Sequence, residues 1–231
     1  MKIKNEKEVL QAFCSNNDEF RPVLNAPFFN EKRNEVWATD GNVMLMTDRK
    51  LLRRKYNKSE HYTNLPIPEP NSDTIVAVKD IEAAFKCFDL KPEMVEEDGG
   101  ECECHACGGS GEVTWEFTDN EGHTYHMDDE CPVCDGTGME EERDMVPTGR
   151  MLPPDDAVLV IDGVKFSARN IMKAVEGLRL LGCEQLRHIY TDVIDNNLFE
   201  VQDGIRILIV TRHGYEGLAK KVKTRKMEAE A

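Results

Sequence analysis

The chain lacks any apolar run approaching the roughly 18 residues that a membrane-spanning helix needs. Its first residues, Met1-Lys-Ile-Lys-Asn-Glu-Lys-Glu8, also lack the apolar centre of a secretion signal. Both absences point to a protein that stays in the cytoplasm and away from membranes. Sets of residues that carry catalysis are missing too. There is no phosphate-cradling Gly-Lys-Ser/Thr loop, and no Ser, His and Asp in an order that marks a hydrolase. Asp40 follows a strand pattern but belongs to an Asp-Gly pair, which is ordinary hairpin chemistry. His188 and His213 lie among strand residues and read as structural imidazoles. The expectation is a protein that is not an enzyme.

Basic residues are nearly absent from one stretch. Between Glu93 and Asp144 there are 18 acidic residues and a single basic one, Arg143, so this stretch carries −17. The whole chain carries −15, which leaves the remainder at about +2. Acidity therefore belongs to a segment and not to the body. Such a segment repels nucleic-acid phosphates; it suits a basic protein surface, or simply solvation.

What the chain does contain is most explicit in the same stretch. Five of the eight cysteines lie there, and Cys14, Cys87 and Cys183 are scattered through apolar patterns that read as buried thiols. Cys104-His-Ala-Cys107-Gly-Gly-Ser-Gly111 and Cys131-Pro-Val-Cys134-Asp-Gly-Thr-Gly138 both fit C-x-x-C-x-G-x-G, and 23 residues separate Cys107 from Cys131. Two such knuckles can supply four thiolates to one tetrahedral structural Zn²⁺. The glycines suit a backbone that bends around the metal and turns its amides toward sulfur. A redox pair would need only one Cys-x-x-Cys, and a catalytic zinc would need an open position. Cys102, His105, His123 and His126 lie near enough in sequence to be substitute ligands.

The repeat resembles the cysteine-rich zinc domain of the DnaJ chaperones. That domain has four repeats and two zincs, so the two repeats here imply one. No J-domain His-Pro-Asp motif occurs. The resemblance implies a zinc module, with client binding as its chaperone-like extension.

Along the chain, Asn5 with Glu8 makes a capping signal for a helix to Cys14. Phe20–Phe29 reads as a strand with prolines at its edge, and Glu35–Thr39 and Val43–Thr47 flank the turn Asp40-Gly41-Asn42. Arg49-Lys-Leu-Leu-Arg-Arg-Lys-Tyr56 is the densest basic run of the body. Arg49, Lys50, Arg53, Arg54, Lys55 and Lys58 are candidate phosphate contacts, or else a solvated loop. A Pro-rich loop then leads to a strand at Thr74–Val78 and a helix at Asp80–Phe88. In the acidic stretch, Glu112–Phe117 and Gly122–His126 form a hairpin with the knuckles at its base. A strand at Ala157–Ile161 precedes a helix capped by Ser167 and closed by Gly182. Strands at Gln185–Thr191, Leu198–Val201 and Ile205–Thr211 follow, and the Lys-rich tail from Glu216 is expected to fray. Its Lys220, Lys221, Lys223, Arg225 and Lys226 are weaker candidates for phosphate contact.

The order is α+β, with β-α-β-β-β units interrupted by a small zinc-binding hairpin module. The expected divisions are 1–95, a module at 96–145, 146–215, and a flexible tail at 216–231. Phe20-Arg-Pro-Val-Leu-Asn25 and Trp37-Ala-Thr-Asp-Gly-Asn-Val-Met-Leu45 resemble the strings RPxLNG and ATDGHRLA of bacterial DNA polymerase sliding clamps. Thr74–Phe85 is similar to the clamp strand and helix that come next, and Asn197–Arg212 to the last clamp hairpin. Asn42 and Val43 stand where the clamp has His-Arg, and Val210-Thr211 where it has Met-Pro. The resemblance implies a non-catalytic body that binds duplex DNA, an oligomer that could close around it, and a role in replication. A zinc-dependent protein adaptor with no DNA role is the other reading.

Overall fold

In the computed structural model, residues 2–59, 65–212 and 218–226 are described. His213, Glu216, Gly217 and residues 227–231 fall outside them, and so does what the sequence leads one to expect there. The chain divides into two compact units, Met1–Lys91 with Leu152–Ala231, and Pro92–Met151.

The first unit grows from apolar alternation. In β2 (Glu35–Thr39) and β3 (Val43–Asp48), Val36, Ala38, Val43 and Leu45 enter one core, while Trp37, Met44 and Met46 enter another. The turn between them forms as its residues dictate. Asp40 Oδ1 accepts the amides of Asn42 and Val43 at 2.8 and 2.9 Å, and Gly41 adopts φ +95°. β1 (Phe28–Asn30) flanks β2. On the other side come β13 (Ile205–Val210), β12 (Asn196–Gln202), β11 (Gln185–Tyr190), β4 (Thr74–Ala77) and β15 (Thr224–Lys226). Among the described residues these make one eight-stranded sheet, β1-β2-β3-β13-β12-β11-β4-β15, with every pairing antiparallel. Strands from both sides of the acidic stretch thus interleave.

Three helices, α1 (Glu6–Gln11), α2 (Val78–Phe85) and α3 (Ala168–Leu181), lie on one core together with β9 (Val158–Ile161) and β10 (Val164–Ser167). Leu10, Phe13, Ile81, Leu178, Phe166 and Phe199 are fully buried there, each contributing about 1.5–3 kcal/mol by burial. Gly177 of α3 lets Phe13 approach: a Cβ there would lie 2.2 Å from the ring. Gly182 ends α3 in the left-handed conformation at φ +71°, as its position after the apolar stripe requires. On the opposite face of the sheet Phe28, Trp37, Ile189, Leu198 and Leu208 form a second cluster, covered by Val23, Leu65 and Ile67. The unit is α+β, a large antiparallel sheet with few helices.

Several local expectations give way to tertiary demands. Of Phe20–Phe29 only Phe28 and Phe29 are strand, in β1; Pro22–Asn25 forms a 3-10 turn that seats Leu24 in the interior, and Phe20 stays in solvent. Neither Asn5 nor Ser167 caps its helix through its side chain. Asp162-Gly163 is the turn of a hairpin not expected from the sequence, since β10 folds back on β9. In the tail, β14 (Ala219–Lys221) runs parallel to β9 and β15 pairs with β4, so these residues are held and do not fray. Cys14 is buried, Cys183 partly so, but Cys87 is exposed. Among the described residues, no helix is long and apolar enough to cross a membrane.

The second unit is made of ribbons. β5 (Lys91–Glu103) pairs with β8 (Met139–Leu152), and β6 (Glu112–Thr118) pairs with β7 (Thr124–Glu130). The second ribbon is in register from Glu112 opposite Glu130 to Thr118 opposite Thr124. Its apolar cluster consists of Cys104, Cys131 and Cys134, with Cys107 and Val113 packed against them.

Candidate metal centre

The two Cys-x-x-Cys turns lie between the ribbons, related by an approximate two-fold in their bonding. Cys104 N donates to Gly138 O and Cys131 N to Gly111 O, both at 2.8 Å. Ser110 Oγ donates to Cys107 O at 2.9 Å, and Thr137 Oγ1 donates to Cys134 O at 2.7 Å. Gly108 and Asp135, at matching positions, both take positive φ, +61° and +49°. Asp135 is one of the few non-glycine types that tolerate this conformation.

The geometry brings four sulfurs together. Cys104, Cys107, Cys131 and Cys134 place their Sγ atoms within 4.8 Å of one another. Cys104 and Cys131 sulfurs are 3.9 Å apart, as are those of Cys107 and Cys134. Disulfide sulfurs would be about 2.05 Å apart. A tetrahedral thiolate shell with metal–sulfur bonds of about 2.3 Å has edges of about 3.8 Å. The cluster therefore fits a metal and not a covalent bridge. Gly111 N points at Cys107 Sγ at 3.3 Å and Gly138 N at Cys134 Sγ at 3.2 Å, donors that stabilise negative sulfur.

Ionisation follows the same logic. Burial pushes the Cys104 thiol up to about 11, against the Cys107 and Ala106 amides that favour the thiolate. At Cys107 burial also opposes ionisation, but the Gly111 and Gly109 amides and the neighbouring thiols outweigh it and bring the group to about 7.

Among the other cysteine and histidine candidates, Cys102 stays outside the four-sulfur cluster. His105 is beside it, with Nδ1 2.8 Å from Glu140 Oε1, and could form a smaller group with Cys104 and Glu140. The His105 amide and ring together hold the Glu140 carboxyl below its usual range. His123 is in the hairpin turn, its Nδ1 3.3 Å from Asp119 Oδ2. His126 belongs to β7, opposite Glu116.

The basic run is placed in the first unit by a residue the sequence did not single out. Glu6, in α1, is buried, and its carboxylate accepts the amides of Arg53 and Arg54 at 2.6 and 2.7 Å. The side chains diverge in use. Lys50 pairs with Asp48 at 2.8 Å, Lys58 with Glu31 at 2.6 Å, and Arg54 lies 3.8 Å from Glu6. Arg49 donates to the Leu52 carbonyl at 3.0 Å. Arg53 and Lys55 are exposed and form no side-chain ion pair among the described residues. Buried Glu6 had only one visible signal, a carboxylate one helical turn before Val9 and Leu10 and on their face.

The body is a mixed α+β antiparallel-sheet protein, and the inserted unit carries a four-cysteine cluster that could hold a metal ion. No family model and no curated protein matches the sequence. Solved structures similar to the chain include the DNA polymerase sliding clamp from Pseudomonas aeruginosa, at 13% identity and TM-score 0.43, covering 90% of this chain and 64% of that one. The sliding clamp from Bacillus subtilis aligns at 15% identity and TM-score 0.40, covering 91% and 62%. That from Caulobacter crescentus aligns at 8% identity and TM-score 0.44, covering 90% and 64%. The chain thus spans less than two thirds of the length of each of these structures.

Proposed function

We propose that this is a non-catalytic, zinc-containing protein with a clamp-like body, associated with DNA as a replication accessory of phage or mobile-element type. The acidic module meets a protein partner. The observation that carries the zinc reading is the pair of 3.9 Å sulfur separations. Four thiolates select a soft, tetrahedral ion, and they leave no position open for substrate, so the metal is structural and there is one of it. The DNA reading is supported by the clamp-like strings at Phe20–Asn25 and Trp37–Leu45, and by exposed Arg53 and Lys55 beside the amides held by Glu6. The 26.3 kDa described by this sequence is too small to surround a duplex, so encirclement by this chain requires several copies.

Two measurements test this on zinc-loaded protein. Light scattering should give a discrete closed oligomer, and duplex binding should weaken steeply with salt. Each phosphate neutralised contributes about 0.9 to the slope of log K against log salt. Replacing Arg53 and Lys55 by Ala should lower that slope by about 2. Absence of salt-sensitive duplex binding would leave the second reading, a zinc-dependent adaptor. That reading is favoured by the −17 charge of the stretch from Glu93 to Asp144.

A further inference from the structure

The hairpin formed by β6 and β7 has two unlike faces. Side chains alternate along it, so Trp115 opposite Met127 and Phe117 opposite Tyr125 share one face, with Val113 opposite Asp129 at its base. Thr114, Glu116, Thr124, His126, Asp128 and Glu130 alternate onto the other. The apolar face is open: Trp115 is 52% exposed, Phe117 67%, Tyr125 56% and Met127 61%. The Phe117 and Tyr125 rings stack at 6.4 Å, and Tyr125 OH donates to Asp119 Oδ2 at 3.1 Å, tying the ring to the turn. A continuous apolar stripe left in water on a paired ribbon is the mark of an interaction surface. Its charge setting selects the occupant. Asp119 and Asp129 close the stripe at either end, acidic residues back it, and no Lys or Arg occurs from Pro92 to Glu142.

We propose that this face of the hairpin docks a basic amphipathic segment of a partner protein, its apolar side chains on Trp115, Phe117, Tyr125 and Met127 and its Lys or Arg side chains against the surrounding carboxylates. The inference rests on the reading of the acidic module as the part that meets a protein, and names the surface and the chemistry of the partner. Acidic partners and anionic lipid are repelled by the same carboxylates.

Trp115 reports on the site, since the chain's other tryptophan, Trp37, is fully buried. The probe is a synthetic 18-residue amphipathic peptide of Leu and Lys, titrated into the zinc-loaded full chain. The expected result is a saturable blue shift of tryptophan emission that weakens with salt. The double variant Phe117→Ser with Met127→Ser, at exposed positions, should bind the peptide at least tenfold more weakly. Its cobalt-loaded form should keep the thiolate charge-transfer band of the parent, showing that the knuckles remain folded. Equal binding of a Ser/Lys peptide, or undiminished binding by the double variant, overturns the apolar face. If such binding is instead lost in Glu116→Gln with Asp128→Asn, acidic docking to a protein survives without this surface. No binding of either peptide overturns both. A dimer of the parent that the double variant abolishes also overturns the proposal, because a second copy then covers the stripe.

Discussion

A Cβ on Gly111 would lie 2.4 Å from the carbonyl oxygen of Gly136, the first glycine of the opposite knuckle. The relation is mirrored, with Gly138 facing the Gly109 carbonyl at the same 2.4 Å. Each knuckle therefore closes on the other's backbone, and both positions also need positive φ, +78° and +75°. Gly111→Ala combines a steric clash with a conformation that costs about 1–2 kcal/mol for an L side chain. It also displaces the amide that points at Cys107 Sγ. Metal affinity should fall by about 10–100-fold although no ligand is touched. Competition with a calibrated chelator measures it. Unchanged affinity would show that the glycine packing is not coupled to the metal.

The metal module has almost no apolar interior beyond its cysteines, and the main core of the body draws no residue from Pro92–Met151. Cys107→Ser or Cys134→Ser should therefore unload and unfold the module while leaving the body folded. Chelation of the parent should do the same. Far-ultraviolet circular dichroism should then show two thermal steps in the loaded protein, the module's step vanishing on chelation. One cooperative loss of the whole protein on chelation would contradict the separation of cores.

Short-range chemistry was legible in the sequence: the Asp40-Gly41 turn, the Gly182 helix stop, and four cysteines whose spacing foretold a cluster. Pairing across long separations was not. β5 and β8 are acidic and mostly exposed, with little strand propensity, and exist because each supplies the other's hydrogen bonds. β15 joins β4 from far along the chain, Thr224 pairing with Val76, so its Lys-rich composition suggested a loose tail. Phe20–Phe29 has strand-like residues, but Pro22 favours the 3-10 turn that buries Leu24. The exposed face of β6 and β7 was visible as residues and not as a surface, because facing requires the register.

Glu6 ties α1 to the basic run through two amide bonds and a longer contact from Tyr56 OH at 3.4 Å. Glu6→Ala would take the acceptor from two amides in a part-buried place, at a cost of about 1–3 kcal/mol. The melting temperature of the body should fall, while cobalt binding at the cysteines stays unchanged. Burial and then the Glu6 charge push the Tyr56 phenol up to about 12. Folding thus favours the neutral phenol, and this stability is complete below the free value near 10 and lost as pH rises through about 12. In Glu6→Gln, ultraviolet titration should find Tyr56 ionising earlier.

His188 is fully buried, with Nε2 2.9 Å from Asn197 Oδ1 and its ring stacked 4.3 Å from Phe199. Nδ1 faces Thr191 Oγ1 at 3.5 Å and Asp162 Oδ2 at 3.7 Å. That carboxylate already accepts Ser72 Oγ at 3.0 Å and Thr74 Oγ1 at 2.9 Å. Burial holds the imidazole below its usual range, opposed by the Asn197 bond and then by Asp162. The unfolded chain therefore takes up this proton at higher pH than the folded one. Stability linked to His188 is present above about pH 6.5 and is lost as pH falls through the depressed folded value. Urea midpoints should decline through this window in the parent. In His188→Gln, which keeps an amide able to bond Asn197 but cannot titrate, the decline should be shallower even where the midpoint at pH 7.5 is lower. Parallel profiles for the two proteins would assign the acid sensitivity to other groups and leave Asp162 as a purely structural acceptor.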